Sequence, residues 1–434
     1  MARINPFPAL RYNPERAELS QVVTQPYDKI TPEMQGRYYR NSPCNLVRII
    51  LGKSQAGDDG RNDVYTRAAA FYEQWRQDKI LMQDAAPGLY LYSQTFRPPG
   101  NGREYERRGL IALGQLEDYE RGVVFRHEQT LSHPKADRLN LLRATRAHFE
   151  QLLMLYSDPL GEIEGCLSPE GKPQINLRDE YGVLNQVWTI RDAEIIEAIR
   201  RKMRDKKLII ADGHHRYETA LNYRDQRRAV TATNGTSDDA PFERVMMTFV
   251  KMESEGLVIL PTHRVVFGLP GFDWQRLMRA ARKYFDVEEL GQKIAPARIT
   301  SLLSEAGSQG TAIVAASAGH SCLLRFKPGS ADEALSAFSP RQRRLDVVLL
   351  HKILLQRVLG ISEESIRKQE HIAFVREINE ALQQVSTGAN VAFLMNPVTV
   401  EQVREIAFAG EVMPQKSTDF YPKLLSGLVM YALE

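Results

Sequence analysis

The chain has 434 residues, enough for two or three domains, and 43% of them are hydrophobic, so it can bury large cores. Lysine and arginine number 57 against 54 aspartate and glutamate residues, which leaves a formal net charge of only +3. This balance argues against a nucleic-acid coat protein and against a membrane-surface binder. The three cysteines, Cys44, Cys166 and Cys322, are widely separated, which argues against a disulfide framework and a structural zinc site.

The hydropathy of the chain predicts its compartment. Residues 1–8 lack the apolar stretch of a signal peptide, and no apolar run approaches the roughly 20 residues that span a bilayer. We therefore expect a cytoplasmic protein with no membrane partner, in keeping with its few, unpaired cysteines. No helix-turn-helix pattern is evident, so nucleic acid is not an expected partner.

The first half of the chain is predicted to alternate between strands and helices. In chain order, the hydrophobic patterns predict a strand at 45–51, an amphipathic helix at 64–79, a hairpin of strands 88–96 and 107–113, a strand-end loop at 124–130, a helix at 141–155, a strand at 187–190, a helix at 192–204 and a strand at 208–211. The last strand leads through the Asp212-Gly213 turn signal into a helix that begins near His214.

The second half follows a polar loop at 234–240 that is a candidate domain boundary. Its patterns predict a hairpin of strands 245–250 and 257–260, helices near 273–284, 298–305, 343–358 and 400–409, and strands near 285–289, 311–316, 321–327 and 391–395. We therefore predict an α+β fold with α/β elements. An N-terminal domain would span 1–235, and a C-terminal α+β domain of 236–434 could shape a substrate pocket or form a homodimer.

The densest group of polar residues follows the predicted strand at 208–211. Asp212, Gly213, His214, His215 and Arg216 occupy five consecutive positions where a strand ends and a helix begins. Backbone N–H groups at a helix N-terminus favour an anion, and arginine adds a bidentate fork for phosphate or carboxylate. The histidines add donors or a proton acceptor near neutral pH. The alternative is a solvent-facing helix start that Asp212 merely caps.

A second polar group spans the predicted strand-end loop and the residues after it. His127, Glu128 and Thr130 lie on the loop, where a carboxylate could act as a general base or a metal ligand. Lys135 and Arg138 are three residues apart, so on a helical turn they would share a face and could hold phosphate oxygens. A solvated loop and helix start is the alternative.

Three shorter segments carry further candidates. Asp28 is either a turn or helix cap or a site residue, and His263 and Arg264 either face a site or are structural. Near the C-terminus, the 416–418 segment Lys-Ser-Thr offers an ammonium and two hydroxyls that suit a phosphate, or it forms a structured loop. The chain contains no P-loop, no Gly-x-Gly-x-x-Gly and no Gly-x-Ser-x-Gly pattern. A zincin motif opening at His127 fails because Leu131 stands where the second histidine belongs.

The box at 212–216 resembles the Gly-x-x-Arg box that lies at the nucleotide phosphates in the ParB/sulfiredoxin superfamily. That superfamily includes DNA-clamping CTPases, a peroxiredoxin-repair enzyme and kinases of free serine. More closely, the chain is identified as a member of the prokaryotic family catalogued as domain of unknown function 1015. The matching segments are 26–28, 127–130, 134–138, 212–221 and 413–418. Because the box lies late in the chain, a ParB/sulfiredoxin-like nucleotide-site unit would be embedded or rearranged.

The resemblance implies a phosphotransferase that moves phosphate from ATP or ADP, assisted by Mg²⁺, to the hydroxyl of a small metabolite, with free L-serine as the leading acceptor. The expected catalytic residues are Glu128 as the base, Asp212 as a metal or water ligand, and His215. The expected phosphate and nucleotide ligands are Gly213, His214, Arg216, Lys135, Arg138, Lys416, Ser417 and Thr418, and the expected substrate ligands are Asp28, His127, Thr130, Glu218, His263 and Arg264. The alternatives are a nucleotide-gated clamp for DNA or protein, and a nucleotide or phosphate-ester hydrolase that uses water as the acceptor.

Overall fold

The computed structural model describes residues 1–130, 132–168, 171–231, 239–292 and 294–433, with only the backbone at 132–134. By its internal contacts the chain divides into two compact units. The first comprises Met1–Arg126, Thr130–Val258 and Pro422–Glu434, and the second comprises His127–Gln129 and Ile259–Tyr421. The predicted domain boundary at 235/236 lies within 232–238, outside the described residues, and stays a prediction.

A mixed sheet, nine-stranded over the described residues, forms the centre of the first unit. In the order in which they pair, its strands are Val124–Phe125, Leu208–Asp212, Leu152–Tyr156, Arg244–Lys251, Tyr105–Gln115, Leu89–Phe96, Leu184–Ile190 and Ile175–Arg178, and Ile4–Asn5 pairs separately with Tyr105–Gln115. The 208–212 strand is parallel to 124–125 and antiparallel to 152–156, and 244–251 is parallel to 152–156. This mixture of pairings, with helices between the strands, confirms the predicted α+β class.

The remaining elements of the first unit are short strands and helices. The strands are Leu10–Tyr12, Leu81–Gln83, Ala147–His148 and Tyr431–Ala432. The helices are Leu19–Val22, Pro32–Asn41, Val47–Ile50, Val64–Gln77, Ser132–Thr145, Ala193–Met203 and His214–Thr231, with 3₁₀ turns at Tyr27–Lys29, Tyr119–Arg121, Glu164–Cys166 and Pro241–Glu243.

The central strands of the first unit are apolar on both faces, as expected of strands that are covered on both sides. Met154, Ile210 and Phe249 are at most 1% exposed. Tyr217 and Ala220, from the helix that follows the 208–212 strand, belong to the same apolar cluster. The helix start at His214 is therefore fixed by a buried strand before it and by a buried helix face after it.

The second unit contains a sheet whose order is Phe285–Glu289, His320–Phe326, Ala312–Ser317, Val391–Met395, His263–Val266 and Ile372–Val375. All five of these pairings are antiparallel. The helices are Trp274–Ala281, Pro296–Gly307, Asp346–Leu349, the π-helix Leu350–Val358, Glu363–Lys368, Ile378–Ser386 and Val400–Phe408, with a 3₁₀ turn at Gln342–Arg344. Strands also lie at Val258–Leu260 and Asp419–Tyr421.

Two predicted elements of the first unit are wrong. Residues 45–51 contain the helix Val47–Ile50 instead of a strand. Because Val47, Ile49 and Ile50 are all buried, the run shows no alternation of apolar and polar residues that would distinguish a strand from a helix. The helix predicted at 141–155 is in fact Ser132–Thr145, and Leu152–Tyr156 is a buried strand. Arg146, with a φ of 49°, follows the end of that helix.

The hairpin predicted at 245–260 is also wrong. The strand Arg244–Lys251 pairs with Tyr105–Gln115 and with Leu152–Tyr156, whereas Val258–Leu260 belongs to a different sheet. Adjacency in sequence favoured a hairpin, but both neighbours of the first strand come from distant parts of the chain.

No helix in the described part of the chain combines the length and the apolar character that a bilayer crossing requires.

Candidate functional site

The strand–helix junction at residues 208–216 has the geometry that the sequence predicts. The strand ends at Asp212, and its register against Leu152–Tyr156 shifts between Ile210 and Asp212. Gly213 then adopts a φ of +93°, and the helix begins at His214. A Cβ atom on Gly213 would lie 2.7 Å from the Leu152 side chain and 3.1 Å from the Arg216 guanidinium. Glycine is thus required here both by conformation and by space.

Two cations converge on the Asp212 carboxylate. Arg216 Nη2 lies 3.3 Å from Oδ2, and Lys423 Nζ lies 3.5 Å from Oδ1. The side chains of Arg216 and Lys423 are only 12% and 8% exposed, so water screens these contacts weakly. Burial disfavours the charged form of Asp212, but Lys423, Arg216 and Lys29 outweigh it and hold its pKa well below the usual range.

Arg216 also joins this junction to the residues 150–151 and to the sequence segment 26–28. Its Nη1 donates to the Gln151 carbonyl at 2.6 Å. Burial lowers its pKa, but the charges of Glu150, Asp212 and Asp28 outweigh burial and raise it. The segment 26–28 and the box at 212–216 are therefore electrostatically coupled.

Arg138, from the segment 134–138, lies in the same neighbourhood. Its guanidinium carbon stands 4.0 Å from the centre of the Tyr27 ring, and its Nη1 is 3.8 Å from Glu150 Oε2. Glu150 Oε1 accepts a hydrogen bond of 3.0 Å from the Tyr27 backbone N–H. We call the group formed by Asp28, Arg138, Asp212, Arg216 and Lys423 the first-unit cluster.

Beside this cluster is a small cavity of about 50 Å³ lined by Arg138, Glu150, Arg216 and Thr219. It has room for one or two water molecules and is far too small for a nucleotide. Asp28, by contrast, is exposed, and Asp212 keeps 26% of its side chain accessible. A ligand that reaches Arg216 would therefore approach from the side of these two carboxylates.

Sequence reasoning missed two cations of this region. Lys423 follows the matched segment 413–418 but belongs to no motif. Arg107 lies within a predicted strand and is 1% exposed; it donates hydrogen bonds to Gln94 and to the Pro422 carbonyl. Burial lowers the pKa of Arg107 to about 10, against the opposing charge of Asp212. Their pairing with residues far away in the chain leaves no local sequence signal.

Lys135 and Arg138 are held by different carboxylates. Lys135 Nζ and the Thr130 hydroxyl both donate to Glu218 Oε2 at 2.9 Å. Arg138 donates instead to Asp137 and to the Ile50 carbonyl. The ammonium of Lys135 is thus paired with Glu218, and the predicted pair of phosphate ligands does not form one open face.

The remaining candidates lie in the second unit, where Glu128 anchors the 413–418 loop. Glu128 Oε1 accepts a hydrogen bond of 2.5 Å from the Lys416 backbone N–H, and His127 Nε2 lies 2.9 Å from Thr418 Oγ1. Ser417 donates its hydroxyl to the Pro414 carbonyl at 2.5 Å. Lys416 has a φ of +58°, an uncommon conformation for a lysine. These contacts hold the loop in one conformation.

Arg264 is buried beside the same loop, and the preceding residue, His263, is also buried. Arg264 is 0% exposed and donates to the Lys416 carbonyl at 3.0 Å. Burial lowers its pKa to about 9, although the Glu128 carboxylate opposes this effect. His263 Nδ1 accepts a hydrogen bond of 3.2 Å from the Met395 N–H, and burial lowers its pKa to about 4, so it is neutral at pH 7. Arg264 thus supports the loop that carries Lys416, Ser417 and Thr418, whereas His263 binds the Met395 backbone.

The candidates thus fall into two groups, one in each unit. The first unit holds Asp28, Thr130, Lys135, Arg138, Asp212, Gly213, His214, His215, Arg216 and Glu218, and the second holds His127, Glu128, His263, Arg264, Lys416, Ser417 and Thr418. His214 is buried, and its charge contributes to the lowered pKa of Asp212, whereas His215 is half-buried. Within the described ranges no three His, Cys, Asp or Glu side chains are grouped as a metal site would require.

The geometry of Gly213 predicts a stability effect. Gly213→Ala should destabilise the protein because Ala disfavours φ of +93° and because its Cβ would overlap the buried Leu152 side chain. Gly57 is the matched control, since it has a φ of +94° and a Cβ atom there would meet no other atom within 4 Å. We expect Gly57→Ala to cost about 1 kcal/mol and Gly213→Ala about 1–3 kcal/mol more. Urea unfolding measures both; equal losses would contradict the steric account.

The anchoring role of Glu128 predicts a dynamic effect. Glu128→Ala removes the acceptor of the Lys416 N–H. It also removes the negative charge that stabilises the charged form of the buried Arg264. A hydrogen bond to a charged acceptor contributes about 1.5–3 kcal/mol, so amide exchange at 413–418 should accelerate by about tenfold or more. Hydrogen–deuterium exchange measures this rate, with exposed Glu401→Ala as the control. Unchanged exchange in Glu128→Ala would show that the carboxylate does not hold the loop.

Comparison with solved structures gives distant likenesses. A free serine kinase in complex with AMP is 14% identical, with 70% of this chain and 89% of that chain covered and a TM-score of 0.35. C-terminally truncated SbnI from Staphylococcus aureus is 10% identical, with 74% and 86% covered and a TM-score of 0.36. A conserved hypothetical protein from Pyrococcus furiosus is 15% identical, with 70% and 92% covered and a TM-score of 0.33.

At TM-scores this low, these likenesses carry no inference about the site. A search of curated proteins finds no match. The model of the family described as "Protein of unknown function (DUF1015)" matches residues 4–348, which is well over half of the chain. The chain belongs to this family.

Proposed function

We propose that the first-unit cluster binds the phosphates of ATP or ADP, and that the protein transfers a phosphoryl group to the hydroxyl of a small metabolite, with L-serine as the leading acceptor. The observation that carries this proposal is the convergence of Arg216 and Lys423 on Asp212 at a helix start. The resemblance of the 212–216 box to the nucleotide-phosphate box of the ParB/sulfiredoxin superfamily directs the proposal to a nucleotide.

The cations that act on Asp212 favour a phosphate. Lys423, Arg216 and Lys29 all act on the single carboxylate of Asp212 and lower its pKa. Cations that are held at a carboxylate can also stabilise an added anion. The first backbone N–H groups of the long helix His214–Thr231 add donors of the kind that bind phosphate.

Each residue of the cluster has a distinct proposed role. Arg216 would contact phosphate oxygens through the part of its fork that faces Asp212, because its Nη1 is already bound to the Gln151 carbonyl. Lys423 would contribute a second positive charge. Asp212 would hold both cations in position until the phosphate arrives. Gly213 would let the phosphate approach the backbone closely.

A magnesium ion fits this cluster only if it arrives with the nucleotide. Magnesium in phosphoryl-transfer sites is held by one or two carboxylates together with phosphate oxygens and water. Asp212, the expected ligand, already faces two cations, whereas Asp28 is an exposed carboxylate whose charge acts on Arg216. Asp28 is therefore the proposed ligand of a nucleotide-bound magnesium ion, which would neutralise charge on the phosphates.

In the proposed reaction, the acceptor oxygen forms a bond to the terminal phosphorus and the bond from that phosphorus to the bridging oxygen breaks. The hydroxyl proton passes to a carboxylate, and the nucleotide leaves with one phosphate fewer. That Glu128 is this carboxylate stays a prediction. The substitution Glu128→Gln tests it and should abolish turnover while nucleotide binding persists.

The test of the proposed function is ³¹P NMR of the protein with Mg²⁺ and ATP or ADP, with and without serine and other hydroxylated metabolites. We expect a new phosphomonoester resonance that requires both protein and acceptor. Inorganic phosphate alone, produced at a rate that acceptors do not change, would instead indicate a hydrolase. An unchanged spectrum together with no nucleotide binding would overturn the proposal.

The role of Arg216 predicts the effect of a conservative change. Arg216→Lys keeps the charge but loses the planar fork, so nucleotide affinity should fall by about tenfold or more. Isothermal titration calorimetry measures this affinity. Arg143→Lys is the matched control, since Arg143 is exposed and bonds only to Gln226 and Asn140 among described residues. Equal affinity of the two variants would remove Arg216 from the phosphate site.

A further inference from the structure

The second unit contains a cavity of about 1,100 Å³ that includes none of the residues selected from the sequence. It lies at the carboxyl ends of the strands His320–Phe326 and Val391–Met395 and beside the helix Pro296–Gly307. Open pockets of this kind at strand ends are frequent ligand sites. Every lining residue belongs to the second unit, so the cavity is a feature of that unit alone.

Three arginines give the cavity wall a positive character. Arg325 is paired with Glu288 at 2.6 Å, and the Arg343 Nε donates to the Phe338 carbonyl at 2.9 Å. The guanidinium of Arg344 has no hydrogen bond or ion pair to any residue that the structure describes. It lines the cavity with all of its donors available to a ligand.

Other residues of the wall are apolar. Phe326 is half-buried, Pro328 and Pro397 are exposed, and all three line the cavity above the buried Val347 and Met395. Asn396 is fixed by a 2.8 Å hydrogen bond from its Nδ2 to the Leu303 carbonyl. The wall therefore combines an available cation with a preformed apolar surface, which is how pockets for organic ligands are built.

Besides Arg344, the carboxyl group of Asp346 lines the cavity and can affect the binding of a charged ligand. Burial raises the pKa of its carboxyl to about 7, against a hydrogen bond with Thr311 that lowers it. The other charged side chains that face the cavity are Asp286, Arg325, Arg343 and Arg344. Below pH 7 the neutral form of Asp346 leaves the arginines in excess.

From these observations we propose that the cavity binds an organic anion whose phosphate or carboxylate contacts Arg344 and whose aromatic or apolar body packs against Phe326, Pro328 and Pro397. The volume exceeds the usual range for small ligands, so a body of nucleoside size suits it better than an amino acid as small as serine. This site is separate from the proposed phosphotransfer cluster and does not depend on it.

Titration calorimetry in the Arg216→Gln background tests the proposal, because that substitution should weaken any binding at the first-unit cluster. AMP serves as the phosphate probe and 4-hydroxybenzoate as the carboxylate probe, and at least one should bind. Arg344→Gln should then weaken binding by about tenfold or more, as loss of a charge-assisted contact does. Arg341→Gln, whose arginine is exposed and does not line the cavity, should leave the affinity unchanged.

A second variant keeps the test independent of Arg344. Ser304 is exposed on the cavity side of the helix Pro296–Gly307, so Ser304→Trp should fill the cavity and abolish binding without altering the core. Circular dichroism checks that each variant is folded. Failure of both probes to bind, or binding that survives both Arg344→Gln and Ser304→Trp, would overturn the proposal.

The pH dependence gives a third readout. Asp346 becomes charged as pH rises through about 7, and its carboxylate would then repel a bound anion, so affinity should fall over this range. Asp346→Asn should remove this fall in affinity. Titration of the probe itself affects both proteins equally, so it does not contribute to the difference between their pH profiles. An identical pH profile in the two proteins would show that the anion does not lie near Asp346 and would contradict the proposed placement.

Discussion

The carboxylate of Asp212, held between Arg216 and Lys423, is the interaction on which the first-unit cluster depends. All three side chains are largely shielded from water, so the loss of Asp212 would leave two cations without their counter-charge. Removing one partner of a fully buried pair costs about 3–5 kcal/mol, and the partial exposure of Asp212 makes the cost here smaller. The same arrangement keeps two cations at a helix start, where the proposed phosphate would share them.

The second unit shows a different use of polar residues. Glu128, His127 and Arg264 hold the 413–418 loop through its backbone and through Thr418. His127 and Arg264 are buried and Glu128 is half-buried, and their partners give each of them a structural role. The variety of residue types in these segments, which suggests a catalytic site from the sequence, is in part what an ordered loop requires when its backbone groups need partners.

Local patterns predicted the parts of the fold that local interactions determine. The strand 208–212, the turn at Gly213 and the helix start at His214 follow from an apolar run, a turn signal and a change of periodicity that adjoin one another. Residues 45–51 were predicted wrongly because a short and mostly buried apolar run does not show whether its periodicity is that of a helix or a strand. The prediction of a hairpin at 245–260 was wrong because the partners of a strand depend on the packing of the whole sheet and not on adjacency in sequence.

The candidate site could be predicted only in part for the same reason. The segments 26–28, 134–138 and 212–216 were selected separately, and the structure brings Tyr27, Arg138 and Arg216 into one neighbourhood. Lys423 and Arg107 were missed because ordinary residue types at distant positions acquire a role only through folding. The pairing of Lys135 with Glu218 likewise rests on a contact between two separate helices.

The most direct test of the central claim is hydrogen–deuterium exchange of the protein with and without ADP and Mg²⁺. If the phosphates bind at the first-unit cluster, amides in the segment 212–219 should exchange more slowly when ADP is present, and Arg216→Lys should reduce this protection at the same ADP concentration. Protection that is absent from 212–219, or that Arg216→Lys does not change at a subsaturating concentration, would contradict the assignment of this junction as the phosphate site.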